Sequence, residues 1–491
     1  MAKNFPPLAA PTRSRILPIA CLIALAGCAP MPAIDKPVAV KTMDQLASTK
    51  TFAEPAATWP KNEWWKAYGD AQLDALIEEA LRDSPNLAVA EARLRQAGAM
   101  TQVAGAPLMP EVSGNASFSQ AKQSYNYLIP RQALPQGWND YGQATLNFSW
   151  ELDFWGKNRS ALAAALSEQK AAQAEVAQTR LILSTSVASA YAELTHLFAV
   201  RDTAEAALAL RTKTVELFRQ RNEFGLENLA NVRQVEARRA VAEGELRATD
   251  ERIALTRNAI AAIVGAGPDR GLAITRPTAF FASKEGLPPN LALDLIGRRP
   301  DIVAARMRTE AAAKRIDQQK AGFYPSINLL AFIGLQSLGI DDLSKSGSKF
   351  GSIGPAISLP IFNTERLQGQ LRGAHAEYDA AVSIYNATLS NALHEVADAT
   401  ASRRALESEL ASARAAVAAA AEAHAIVKMR YKGELATYLD VLSAEDQLIL
   451  ARRGLADLKT RAMVLDVTLV RALGGGFQSA DNLSPQSDAT H

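Results

Sequence analysis

Ala144-Thr145-Leu146-Asn147-Phe148-Ser149-Trp150-Glu151-Leu152-Asp153 alternates apolar and polar residues without a slip. A period of two is the side-chain period of a strand, so this segment carries one apolar and one polar face. The same alternation recurs in Val112-Ser113-Gly114-Asn115-Ala116-Ser117-Phe118, in Ile327, Leu329, Ala331 and Ile333, and in Ile353, Ile357 and Leu359. Strands are therefore expected at about 111–119, 143–153, 326–334 and 352–360. Strands of about ten residues cross a bilayer when tilted. Four are too few to close a barrel, and open edges are not tolerated in lipid. A soluble sandwich is the alternative, and it needs more strands than the chain offers. If the strands are in a membrane, several chains must share one barrel. Trp150, Phe154 and Trp155 stand where an interfacial aromatic belt is expected, and a packing role serves them equally well. The segments Gln120 to Tyr141 and Gln336 to Gly351 are polar or rich in Gly and Ser, as exposed loops are.

The strands belong to a duplicated unit. Asp83-Ser84-Pro85-Asn86-Leu87 matches Arg298-Arg299-Pro300-Asp301-Ile302 at a spacing of 215, and the frame holds through Ala90/Ala305, Arg93/Arg308, Ala97/Ala312, Ala106/Ala321 and Pro110/Pro325. A second frame, at 209, matches Val187-Ala188 to Val396-Ala397, Leu217 to Ile426, Arg221 to Arg430 and Leu226 to Leu435. It continues through Asn231-Val232/Asp440-Val441, Glu236/Glu445 and Gly265/Gly474. Duplicated units build rings or arrays with internal pseudo-symmetry. Each copy opens with a helix whose first turn carries proline, where a missing N–H does no harm.

No proline occurs between Pro135 and Pro268 or between Pro360 and Pro485. Helices are expected from about Gly156 to Glu223 and from about Glu365 to Lys432, each roughly 100 Å long if continuous. Such lengths suit a tube or sheath, with a solvated coiled-coil stalk as the alternative. Both tracts turn at matched points, Arg221 to Leu229 and Arg430 to Val441. Gly225 and Gly433 are expected to end the helices, and Asn228 and Thr437 to cap the returns. The return helices end at Gly265 and Gly474.

Ahead of all this, Leu25-Ala26-Gly27-Cys28 follows the apolar run Ile16 to Ala26 and the basic residues Lys3, Arg13 and Arg15. The run is too short for a permanent span, and the layout is that of a bacterial lipoprotein signal (residues 1–27) with Cys28 as the lipid-bearing residue. An ordinary secretory signal with a chance cysteine is the alternative. Ala29 after the cysteine weakly favours the outer membrane. Cleavage would leave one cysteine and no disulfide framework. It would also move the formal charge from +2 to about −1, so nothing favours nucleic acid. Aromatics make up 6 % of the chain and alanine is abundant, which suits long close-packed helices. No later stretch reads as apolar enough for a transmembrane helix.

No enzyme is supported. His196, His375, His394, His424 and His491 form no pair at metal-ligand spacing and read as surface helix residues. Gly-Ala-Gly and Gly-Gly-Gly near 265 and 474 read as helix stops, and no phosphate loop appears. Arg238-Arg239, Arg403-Arg404 and Arg452-Arg453 read as solvated or interhelix faces.

Taken together the residues resemble the TolC superfamily of outer-membrane channel proteins, in its NodT-type lipoprotein branch of efflux factors. The carriers are Leu25 to Cys28, Trp59-Pro60 with Trp64-Trp65, Leu73 to Asn86, Leu295 to Ile302, Phe323 to Ile327, Trp150 to Gly156, Leu359 to Phe362, and Arg430-Tyr431 with Gly433 and Tyr438 to Leu442. The resemblance implies an α+β membrane protein. It implies a homotrimer with a twelve-stranded β-barrel in the outer membrane of a Gram-negative bacterium, continued by a helical tunnel in the periplasm. Residues 28–82, 266–297 and 475–491 would wrap the middle of the tunnel, and 83–265 and 298–474 would be the repeats. It implies a periplasmic tip and gate at Gly225, Gly433, Leu439 and Asp440, and Glu445 and Asp446 beside them are further candidate gate acids. Ser443 stands where relatives often have an acid, which leaves a two-carboxylate gate in doubt. Loss of Asp440 is expected to raise leakiness. No cofactor is implied beyond diacylglycerol and an N-acyl chain on Cys28. The implied partners are a periplasmic adaptor (membrane fusion) protein, an RND-type inner-membrane pump and outer-membrane lipid. The implied role is a passive export duct. A duct for type I protein secretion and a non-conducting structural lipoprotein are the alternatives.

Overall fold

The computed structural model describes residues 30–34, 36–42, 45–46, 51–52, 55–126, 129–278, 286–289 and 291–479. The signal-like segment and Cys28 lie outside the described residues. Helix α1 Ala71–Asp83 leads into the first copy, which holds α2 Pro85–Gly105, α3 Lys157–Glu223 and α4 Leu229–Ile263. Helices α5 Leu291–Arg298, α6 Pro300–Ala321, α7 Thr364–Lys432 and α8 Tyr438–Ala472 repeat the series. Strands β1 Glu111–Ala121 and β2 Asn139–Leu152 follow α2, and β3 Ser326–Leu338 and β4 Lys349–Ser358 follow α6. The long tracts are unbroken, 67 residues in α3 and 69 in α7, as the proline-free intervals require. One 18-residue window of α7, with a mean hydropathy of 1.3, passes a length-and-composition test for a span, against the expectation of none. No residue of that window is buried, and a helix as rich in alanine as Ala415 to Ala421 passes on many small side chains.

The chain forms two compact units. One contains 95–170, 306–384 and the residues up to 39. Its four strands form one antiparallel sheet in the order β1-β2-β3-β4. Val112 lies opposite Phe148, Leu146 opposite Ile333, and Ala331 opposite Ile353. Partners across a ladder share a face, so even positions of β1 and β2 join odd positions of β3 and β4. The strands run further into the loops than expected. Gln120 still pairs with Asp140, and β3 continues to Leu338, because ladder bonds persist after the apolar alternation has ended. Below the sheet a small core of Ile316, Phe323, Leu367, Leu371 and Ala374 packs α6 on α7. The segment from Pro30 follows α7: Gln368 donates to the Pro30 carbonyl at 2.9 Å, and the Val38 N–H donates to Asp379 at 2.9 Å.

The other unit contains 40–94, 171–305 and 385 onward. It has paired cores that follow the duplication. One gathers Trp64, Trp65, Leu73, Leu76 and Ile77 on Val187, Tyr191 and Leu194 of α3. The other gathers Leu291, Leu295 and Ile302 on Leu389, Ala392 and Val396 of α7. The frame-matched pair Val187 and Val396 is fully buried in both. Asp70 caps α1, accepting from the N–H groups of Gln72 and Leu73 at 2.9 and 3.2 Å. Tyr191 and Thr278 also donate to it. Burial works against the Asp70 charge, but those donors outweigh it and hold the carboxyl below its ordinary value. The buried Arg299 guanidinium ties three helices, reaching Asp301 and Glu395 at 2.6 and 2.7 Å and the Ala472 carbonyl at 3.1 Å. Gly265 and Gly474 both have φ of +84°, and a Cβ there would press on the carbonyl oxygens of Asp83 and Arg298 respectively. They are helix stops that also let a chain pass close by.

Candidate functional site: the apolar sheet face and the helical turns

The sheet register gathers Val112, Phe118, Leu146, Phe148, Trp150, Leu152, Ile327, Leu329, Ile333, Ile353 and Ile357 on one face. Most of that face is open, and described residues close over it only at its ends, with Leu343 beside Gly142 and Leu108 beside Trp150. Ile353 is 78 % exposed, Ile333 65 %, Ile357 63 % and Phe118 56 %. The opposite face carries Ser113, Asn115, Ser117, Thr145, Asn147, Ser149, Asn328 and Ser352, with Tyr141, Leu330, Phe332, Leu338 and Phe350 as larger exceptions. A patch this continuous needs an apolar environment. Among the described residues the outer edges of β1 and β4 pair with no other strand, so the sheet calls for another strand at each side. Where the sheet meets the helices, Phe154 and Trp155 are mostly exposed and Trp150 partly so. Trp150 and Trp155 donate their indole N–H groups to the carbonyls of Leu108 and Pro325 at 3.2 and 2.8 Å. Trp155 also stacks on Tyr324 at 4.6 Å. These rings thus pack locally and still present apolar surface.

The two helical turns are built alike. Gly225 has φ of +70°; its N–H donates to the Asn222 carbonyl at 3.0 Å, and that of Leu226 donates to Arg221 at 2.8 Å. In the second copy the left-handed residue is Glu434, at φ +60°, and not Gly433. Glu434 donates to Tyr431 at 3.1 Å and Leu435 to Arg430 at 2.8 Å, which reproduces the same two-bond helix stop. Gly433 still bonds back to Met429 in the helical manner. The correction is one residue, and its cause is the frame of 209, which aligns Glu434 with Gly225. Asn228 accepts from the Asn231 N–H at 2.8 Å, and Thr437 accepts from that of Asp440 at 3.3 Å. Asp440 answers by accepting from the Thr437 N–H and hydroxyl, both at 2.7 Å, which closes a capping box. Those bonds hold the exposed Asp440 carboxyl below its ordinary value. The charged carboxylate is thus the form that makes the cap. Leu439, beside it, is 66 % exposed.

Behind the turns lies an aromatic core that sequence reasoning missed. Phe218 packs between Tyr431 and Tyr438, with centroids 6.1 and 4.2 Å away, and Arg221 sits over the Tyr431 ring. Burial pushes the Tyr438 hydroxyl up to about 12. Further along, Asp446 is shared by Arg211 of α3 and Arg238 of α4, while Glu445 is fully buried. The sequence singles out Tyr431, Tyr438, Glu445 and Asp446, but only tertiary packing brings them onto Phe218, Arg211 and Arg238, which neither motif nor spacing reveals. Among the described residues no group of His, Cys, Asp and Glu is arranged to hold a metal ion. His394 is exposed, but His196, His375 and His424 are half-buried on their helices, more so than expected of surface residues. His491 lies outside the described residues.

A model described as the outer membrane efflux protein family matches residues 76–266 and 291–475. The fusaric acid resistance protein FusA of Burkholderia cepacia is 36 % identical over 368 residues, covering 73 % of this chain and 68 % of its own. The multidrug resistance outer membrane protein MdtP of Escherichia coli K12 is 28 % identical over 462 residues, covering 93 % and 94 %. Among solved structures, the outer membrane protein VceC of Vibrio cholerae is 48 % identical with a TM-score of 0.82, covering 86 % of this chain and all of that one.

Proposed function

This chain belongs to the outer membrane efflux protein family, and on that premise we propose that it is the outer-membrane duct of a tripartite efflux system. The observation that carries the reading is the sheet: four strands, two open edges and a mostly open apolar face. Lipid accepts the face, and copies of the chain supply the missing strands. Three copies make a twelve-stranded barrel, with the long helices forming a water-filled path into the periplasm. The lipid chains on Cys28 tie each copy to the same membrane. The turns at Gly225 and Glu434 form the far tip, where a periplasmic adaptor docks and the path narrows. An RND-type pump in the inner membrane supplies energy and most of the choice of cargo. The duct itself performs no chemistry.

The experiment is the susceptibility of a clean deletion strain across antibiotics, dyes, detergents, metal salts and aromatic acids such as fusaric acid. Sensitisation to one class, rescued by the wild-type gene, is the predicted result and names the cargo. A Cys28→Ala copy rescues less well if the lipid anchor matters. A deletion that sensitises to nothing but abolishes secretion of a protein would transfer the duct to type I secretion.

A further inference from the structure

Glu445 is the second-copy counterpart of Glu236 in the frame of 209, yet the two glutamates are held in opposite ways. Glu236 accepts from Arg219 at 3.0 Å and from Arg233 at 2.8 Å, and those bonds hold its carboxyl below the ordinary value. Arg219 aligns with Lys428, which makes no hydrogen bond to Glu445. The Glu445 side chain is fully buried, and neither of its oxygens is hydrogen-bonded to any described residue. Arg211 of α3 is the nearest partner, with its Nη1 3.1 Å from Oε1, but the pair is misaligned and Nη1 is also unbonded. The other groups facing Glu445 are Arg238 of α4, Lys428 of α7, and Asp446 and Tyr438 of α8. Arg211 and Arg238 are already engaged by Asp446, which leaves Glu445 as the carboxylate without a proper bond.

We propose that Glu445 is the positioning residue that makes the helix packing next to the turns respond to acid, tightening when it is protonated and loosening when it is ionised. Two energies compete. The Arg211 charge favours the ionised form, and removal from water opposes it. Burial wins, and it raises the carboxyl above its ordinary value of 4.5. The packed arrangement therefore binds more protons than one in which Glu445 meets water. By linkage, packing is favoured as pH falls through the raised value and is disfavoured as pH rises through it. An outer-membrane protein feels the pH of the medium, so such a duct would stay shut in acid surroundings until engaged and would open more readily near neutrality. The inference rests on the reading of the turns as the narrow end of a conducting path.

The test uses the full-length assembled protein in planar bilayers, at about pH 5 and about pH 8. Wild-type current is expected to be lower in acid, as the direction of the Glu445 shift requires. Glu445→Gln, which mimics the neutral carboxyl, should give low current at both values, while Glu236→Gln should keep the wild-type response. A pH-insensitive wild type, or an acid response unchanged in Glu445→Gln, overturns the proposal. If assembled protein passes no current at any pH, the channel reading itself fails. Hydrogen exchange over residues 441–448, corrected for the intrinsic pH effect, still decides the role of Glu445 in that case and if the variant assembles poorly. Protection should rise in acid for wild type; equal protection at the two values contradicts the proposal.

Discussion

Glu434 occupies a backbone conformation that costs a residue with a Cβ about 1 kcal/mol relative to glycine. Glu434→Gly should therefore stabilise the second turn by about 1 kcal/mol, and Gly225→Ala should destabilise the first by a similar amount. Denaturation of the assembled protein followed by helical circular dichroism checks both signs. Asp440 poses a sharper question, because its carboxylate is both a charge at the turn and half of a capping box. Asp440→Asn keeps an acceptor for Thr437 and removes the charge, whereas Asp440→Ala removes both. Leakage to antibiotics and loss of cation block in both variants would assign the effect to charge; leakage in Asp440→Ala alone would assign it to the cap. The bonded carboxyl is held low, so its cap persists above the ordinary value of 3.8 and is lost only as pH falls through the lower one. At this scale the sequence is legible wherever the duplication speaks. The matched segments Arg221 to Leu229 and Arg430 to Val441 mark both turns, although the second stop falls at Glu434, one residue after the expected Gly433. The burial of Glu445 is not legible, since its surroundings come from helices 200 and more positions away, as with Arg211 and Arg238.

Helices are the elements whose limits composition predicts best. A proline-free interval closed by a capping residue sets the ends of α3 and α7 to within about a residue, because backbone bonds and propensity act locally. Strand ends are less visible, as the extension of β2 back to Asn139 illustrates: hydrogen bonds across the ladder outlast the side-chain pattern. Asp70 joins a local role to a distant one. As the cap of α1 it satisfies two N–H groups, and as the acceptor of Tyr191 it fixes α1 on α3. Asp70→Ala should cost about 2 kcal/mol, from a lost cap and a Tyr191 hydroxyl that loses its acceptor and keeps only the Gln72 donor. Because its carboxyl is held below the ordinary value, its contribution is present above that value and disappears as pH falls through the lowered one. Acid unfolding of wild type and variant should converge at low pH; parallel curves would contradict this.

The whole molecule is governed by what its sheet leaves undone. Lysine in place of Ile353 or Ile333, both on the open part of the apolar face, should weaken membrane assembly by about 2–4 kcal/mol if the residue lies near mid-bilayer. Lysine at Asn147 of the polar face should cost far less, and recovery of heat-resistant oligomer from outer-membrane fractions measures the difference. The alternation makes each strand readable, and counting strands makes the need for partners readable. The identity of those partners is not written in any single chain, since it depends on edges that meet only after assembly. The most direct test is the mass of the assembly extracted in mild detergent. Three copies in one particle, with β1 of one copy cross-linking to β4 of the next, is the predicted result. A stable single chain with both edges free of cross-links would contradict the shared barrel and the duct built on it.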